Sequence, residues 1–159
     1  MRKLLIPSMV AFVAAVVMTA TAVAAEPDPI LGTWQLNASK STFTAGPALK
    51  SQTRTYALSG PSLTVAIKTV AADGKETTTH SMYQLDGKDY PVTGSPDYDS
   101  ISGKQVDART ATVTLKKGGK AVGTTTRTVS KDGKQMTSKT NLTTATGEKS
   151  ESVMVFDKQ

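Results

Sequence analysis

Catalysis by acid, base or nucleophile draws on a small set of side chains, and this chain is poor in most of them. Cysteine is absent and His80 is the only histidine, which removes thiol nucleophiles, thiolate metal sites and multi-histidine metal centres. A serine–histidine–aspartate relay would have to run through His80 in "ETTTHSMYQ", where alternation with Met82 reads as a partly buried strand position. Ser95 has no Gly-x-Ser-x-Gly context. Asp86, Asp89, Asp97 and Asp99 fall close together in "LDGKDYPVTGSPDYDS". That span lacks the alternating acids, central glycine and terminal glutamate of a calcium loop. No glycine cluster opens a helix, as a phosphate-cradling loop does. The expectation is a protein without catalytic residues, metal or cofactor.

Arginine and tyrosine offer a different chemistry. In "QTRTYAL", a two-residue period puts Arg54 on one strand face with Tyr56 and Leu58. In "TTTRTVS", Arg127 shares a face with Val129, and Tyr83 shares one with Leu85. If these faces point inward, a guanidinium fork beside phenol hydroxyls matches the carboxylate of an amphipathic ligand. The competing reading of Arg54 is a rim residue with its head group in water.

Side chains on alternating faces need strands to hold them, and the chain is written in strands. Runs of about ten residues rich in Thr, Val, Tyr and Ser end in short glycine turns: "LSGPS", "ADGKE", "LDGKD", "KKGGK", "KDGKQ" and "ATGEK". Leu63, Val65 and Ile67 alternate with Thr64, Ala66 and Lys68, and Val113 and Leu115 with Thr112, Thr114 and Lys116. Cβ branching gives threonine-rich runs high β propensity. "NASKSTF" (37–43) has room for one short helical turn. Pro91, unable to donate to a ladder, marks an edge or bulge, and "TGSPDYDS" reads as a longer connection with a share in shaping a cavity mouth. The reading is all-β, a single up-and-down antiparallel barrel of about 9–10 strands, because closure removes the exposed edges of so wide a sheet.

The first 25 residues read as something else. Met1-Arg2-Lys3 precedes the apolar run "LLIPSMVAFVAAVVMTATAVA", and "AVAA" supplies a small-x-small cleavage pattern before Glu26. Residues 1–25 are thus expected to be a cleaved signal peptide, with a membrane anchor as the competing reading, and 26–159 the barrel domain. No cysteine follows the run, which excludes a lipid-anchored form. The expected location is a bacterial periplasm or the medium, with no stable membrane insertion after cleavage. Without Arg2 and Lys3 the 19 basic residues fall to 17 against 13 acids, an excess of +4 in place of +6. The lysines sit mostly in turns, with no stripe of interleaved aromatics, so no nucleic-acid partner is expected.

Near the start of this domain stands "ILGTWQLNASKSTF", and at its end "SVMVFDKQ". Gly32-Thr33-Trp34 resembles the G-x-W signature of lipocalins and the G-T-W opening of fatty-acid-binding proteins, and "VFDK" resembles the last strand of the latter. The ordered set "GTW-L", "KS-F", "DGKDYPVTGSPD" and final "DK" resembles small exported bacterial lipocalin-like (calycin-type) proteins. The resemblance implies a barrel closed at one end by Trp34, with Gly32 making room for the ring. It implies a late-strand arginine over that ring, for which Arg127 is the candidate. It also implies a carboxylate clamp on the last strand, where Met154 stands in the place of the arginine and Phe156 in that of the aromatic. The functional expectation is a monomeric exported protein holding a small amphipathic or apolar molecule, with Arg54, Tyr56, Tyr83, Arg127 and Phe156 as candidate ligand contacts. The alternative is a solid-core envelope protein acting through its surface as a partner or inhibitor of another exported protein. Ten strands can enclose a hollow or flatten into two packed faces, and sequence leaves both open.

Overall fold

The alternating threonine runs become strands of one antiparallel sheet in a computed structural model that describes residues 28–44 and 49–159. The proposed signal peptide, residues 1–25, lies outside the described residues. In chain order the strands are β1 (Gly32–Leu36), β2 (Thr42–Phe43), β3 (Ser51–Ser59), β4 (Ser62–Val70), β5 (Glu76–Tyr83), β6 (Asp86–Thr93), β7 (Ser100–Asp107), β8 (Thr110–Lys117), β9 (Lys120–Val129), β10 (Gln135–Thr143) and β11 (Lys149–Lys158). From β3 onward each strand pairs with the next. β1 pairs with β3 on one side and β11 on the other, Trp34 standing opposite both Arg54 and Lys158. The sheet therefore meets itself. This is the closed all-β barrel that the turn spacing implies.

A single 3-10 turn, Ala38–Lys40, interrupts the first strand within "NASKSTF". Asn37 caps it, accepting from the Lys40 backbone N–H at 3.3 Å and donating to Asp157 Oδ2 at 2.6 Å. The chain then re-joins β11 higher up as β2, with Phe43 opposite Ser152.

One end of the barrel, the floor, is packed solid. Trp34, Met136 and Phe156 are fully buried there. The Trp34 indole N–H donates to the Ile30 carbonyl at 2.7 Å, which satisfies its one polar atom. The expected arginine over this ring is not Arg127. Lys158 Nζ lies 5.1 Å from the Trp34 ring centroid, whereas Arg127 lies over Tyr56. Register explains the exchange, since Lys158 is the direct partner of Trp34 on β11. Gly32, at φ +117°, leaves room for the Lys158 stem, whose Cε would sit 3.1 Å from a Cβ at that position.

Several turn and face assignments change. Asp86-Gly87 is not the hairpin turn; β5 passes to β6 through Gln84 and Leu85, and Asp86-Gly87 opens β6 in a bulge against β7. Gly87 has φ +79°, and a glycine at positive φ serves a bulge as well as a turn, so the dipeptide alone does not separate them. A turn without glycine joins β7 to β8, where Asp107 Oδ1 accepts from the Arg109 N–H at 2.8 Å. Leu58 does not join the core with Arg54 and Tyr56; at the last pairs before the β3–β4 turn it is 59% exposed. His80 is exposed on the outer face, and Met82 beside it is 51% exposed.

One seam in the ring is thin. β5 and β6 pair only at His80–Thr93 and Ser81–Val92. Pro91, which lacks an N–H, stands beside this seam and opposite Ser100 of β7. Beyond it Gly94, at φ +81°, lies so close to β5 that a Cβ would overlap the Thr78 carbonyl oxygen. Gly94→Ala is therefore expected to destabilise the fold by about 2 kcal/mol or more through strain and overlap. Trp34→Ala, which empties the floor, is expected to cost about 3–5 kcal/mol. Urea unfolding of each variant against the parent measures both.

Candidate functional site

Above the packed floor the barrel is hollow, enclosing about 400 Å³. The smaller side chains of the upper half do not fill the width that ten strands impose. The inner face of β3 delivers Gln52, Arg54 and Tyr56 into this space at the strand period of two. Arg54 is only 6% exposed. Its Nε donates to Gln52 Oε1 at 2.8 Å and one terminal nitrogen donates to Ser138 Oγ at 3.1 Å. The other terminal nitrogen lies 3.9 Å from Met154 Sδ, and the guanidinium carbon lies 4.4 Å from the Phe156 ring centroid.

Arg127 enters from β9 and is 5% exposed. It donates to the Tyr83 hydroxyl at 2.7 Å and stacks 5.2 Å from the Tyr56 ring centroid. Among the described residues, the groups in contact with the two guanidiniums are neutral: an amide oxygen, hydroxyls, a thioether and aromatic faces. The buried polar and charged residues are Gln52, Arg54, Arg127 and Ser138, with no acid among them. Salt bridges among the described residues, such as Lys68–Glu76, join solvent-exposed groups. Among the described residues no acid contacts either guanidinium. Burial works against the Arg127 cation, but Tyr83, Tyr56 and, at longer range, Asp28 outweigh it and hold its pKa above the ordinary value. Two cations thus face one cavity without a counter-charge in contact, an arrangement that favours an arriving anion.

The stretch 94–99 covers the mouth. Ser95, Pro96, Asp97 and Tyr98 line the cavity from above. On one side Lys117 Nζ donates to the Pro96 carbonyl at 3.2 Å and the Gly118 N–H donates to Asp99 Oδ2 at 3.0 Å. On the other, Asp97 Oδ1 accepts from the Ala145 N–H at 3.0 Å, tying the loop to the β10–β11 turn. Burial pushes the Tyr98 phenol up, while Arg54 and a hydrogen bond with Ser95 oppose the shift.

Arg54, Tyr56, Tyr83 and Arg127, drawn from β3, β5 and β9, all line this one cavity. Phe156 does not; it is fully buried in the floor and meets Arg54 through its ring face. Two residues behind it on the inner face, Met154 contacts the same guanidinium, so a cation from β3 occupies the neighbourhood where the resemblance implies one from the last strand. Gln52 was legible in principle, since it shares a strand face with Arg54, whereas Ser138 was not, having no residue singled out on its strand. Tyr98 was not, because a loop carries no period.

The fold has relatives among solved structures. Rv2717c from M. tuberculosis matches with a TM-score of 0.53 and 17% identity over 82% of this chain and 93% of its own. The zebrafish ileal bile acid-binding protein, solved with cholic acid, matches with a TM-score of 0.51 and 9% identity over 82% of this chain and 99% of its own. The chain shares the closed antiparallel barrel fold of these structures. At these identities the likeness shows the fold alone. No protein-family profile matches the sequence, and no curated protein does.

Burial pushes the Tyr83 phenol up from its ordinary value of 10.0 to about 12, with Arg127 beside it opposing part of the shift. The folded state therefore holds this proton more tightly than the unfolded chain does. The stability it contributes is fully present below pH 10 and is lost as pH rises toward about 12. A loss on the order of 2–3 kcal/mol is expected across that window. Unfolding free energies measured through it, with tyrosinate absorbance alongside, should show a smaller loss in Tyr83→Phe than in the parent, the buried Tyr98 phenol supplying part of what remains.

Proposed function

We propose that this protein is an exported, monomeric carrier that holds a small amphipathic acid in the barrel cavity, with its head group on Arg54 and Arg127, and performs no catalysis. The observation that carries this reading is the pair of buried guanidiniums with no acid in contact among the described residues. A carboxylate entering between them supplies the missing charge and accepts charge-assisted hydrogen bonds, the strongest kind available to a neutral-pH ligand. The apolar body of such a ligand lies toward the mouth, against Val92, Ile101, Val113 and Leu115. A volume of about 400 Å³ falls within the range of about 300–1,000 Å³ typical of small-molecule sites. The zebrafish neighbour was solved with an acid of this general class, cholic acid, but the ligand class proposed here rests on this chain's own side chains.

Export rests on residues 1–25, with their basic start, apolar run and small-residue end. A monomer agrees with the closed ring, which offers no long edge strand for another chain to extend. The hollow interior supports the carrier reading over the solid-core, surface-acting alternative.

Extraction of the purified protein with organic solvent, followed by titration with an environment-sensitive fatty-acid probe, tests the reading directly. Saturable binding is expected, and its absence together with an empty extract would refute the carrier role. Arg54→Gln should weaken the anionic probe about 10- to 100-fold, the range for one charged hydrogen-bonding group. A neutral fatty-alcohol probe should change much less, and equal weakening of both would count against the head-group assignment.

A further inference from the structure

The polarity of β5 is reversed. Its sequence, "ETTTHSMY", turns Thr77, Thr79, Ser81 and Tyr83 toward the cavity, while Thr78, His80 and Met82 face out. A strand that packs a core does the opposite. Here the inner row is made of hydroxyls and the one large aliphatic side chain, Met82, is 51% exposed. Its neighbour β4 is conventional, with Leu63 and Val65 buried on the inner face, as is β8 with Val113 and Leu115. Inward hydroxyls therefore belong to β5 and, as described next, to the upper parts of β9 to β11, and not to the barrel as a whole.

The row has a direction. Alternate residues on a strand stand about 6–7 Å apart, so the hydroxyls run from the mouth at Thr77 down to Tyr83, which is bonded to Arg127. Across the ring from β5, the inner faces of β9 to β11 add Thr125, Thr140, Ser150 and Ser152. Between these two walls, β6 to β8 present Val92, Ile101, Val113 and Leu115. A plain hydrocarbon body entering this space would strip water from the β5 hydroxyls and give nothing back, a loss charged to each unsatisfied group. A body carrying oxygens along one edge would replace those hydrogen bonds and still cover the apolar side.

We propose that the ligand is a hydroxylated amphipathic acid, bound with its oxygenated edge along Thr77, Thr79 and Ser81 and its apolar face on β6 to β8. This deepens the carrier reading and rests on it. The test compares stearic acid with dihydroxystearic acid, which share chain length and carboxylate, by calorimetric titration of the parent and of the combined variant Thr77→Val, Thr79→Val, Ser81→Ala. The parent should bind the dihydroxy acid about tenfold more tightly, as two hydrogen bonds of ordinary strength imply. The variant should lose that preference while still binding stearic acid, which also shows that it is folded. Equal affinities in the parent, or a preference that survives in the variant, would overturn the proposal and leave the carrier role standing; the row would then be a hydrated wall. If neither acid binds the parent, the carrier role falls and this inference falls with it.

Discussion

Everything in this molecule is positioned by the double pairing of its shortest full wall strand. β1 has five residues, yet it hydrogen-bonds to β3 and to β11 at once and so turns an open sheet into a ring. Closure fixes the circumference, and the circumference fixes how much side-chain volume the interior needs. Near β1 the demand is met by Trp34, Met136 and Phe156. Farther up, where threonine, serine and valine face inward, it is not, and a cavity remains. The hollow follows from where the large side chains sit, with no need for a special cavity-forming element.

The same geometry explains how two arginines can face inward. Each lies just above the packed floor, where aromatic faces, an amide and hydroxyls are within reach. These partners soften the desolvation of a guanidinium without neutralising it. Arg127 remains a cation throughout, since its side chain does not lose its proton under any ordinary condition. A fold selected for stability alone has a simpler solution in an aliphatic residue at either position. Retaining charge in the least hydrated part of the barrel points to an interaction that uses it.

The mouth contrasts with the floor in the kind of contact it makes. The floor is held by packing, whereas the loop over the mouth combines the packing of Tyr98 with single hydrogen bonds to Val92, Lys116, Lys117, Gly118 and Ala145. Such contacts to solvent-facing turns are the weaker kind, worth about 0.5–1.5 kcal/mol each. A barrel that opens at one end is therefore expected to open at this one.

Much of the fold was legible because its signals are local. Gly60, Gly74, Gly118, Gly133 and Gly147 all have positive φ at or beside the turns that the sequence marks, and threonine alternation marks the strands between them. Arg54 with Tyr56, and Tyr83 on its own strand, were recognisable as facing one way because strand faces alternate with a period of two. That period says which residues share a face but not which face is inside. On β4 and β8 hydrophobicity supplied the missing sign, since the inner face is the apolar one. On β5 it pointed the wrong way for His80 and Met82, because the inside there is a polar cavity wall. The Asp86-Gly87 bulge, the placing of Lys158 over Trp34 and the insertion of Tyr98 at the mouth depend on register between segments far apart in the chain. By itself the sequence determined the strands, most of their corners and the residue pairs that travel together. Only the tertiary structure decided that two cations face one cavity above a sealed floor and that side chains leave the space over them unfilled, because both depend on how the circumference of the closed ring compares with the volume of the side chains inside it.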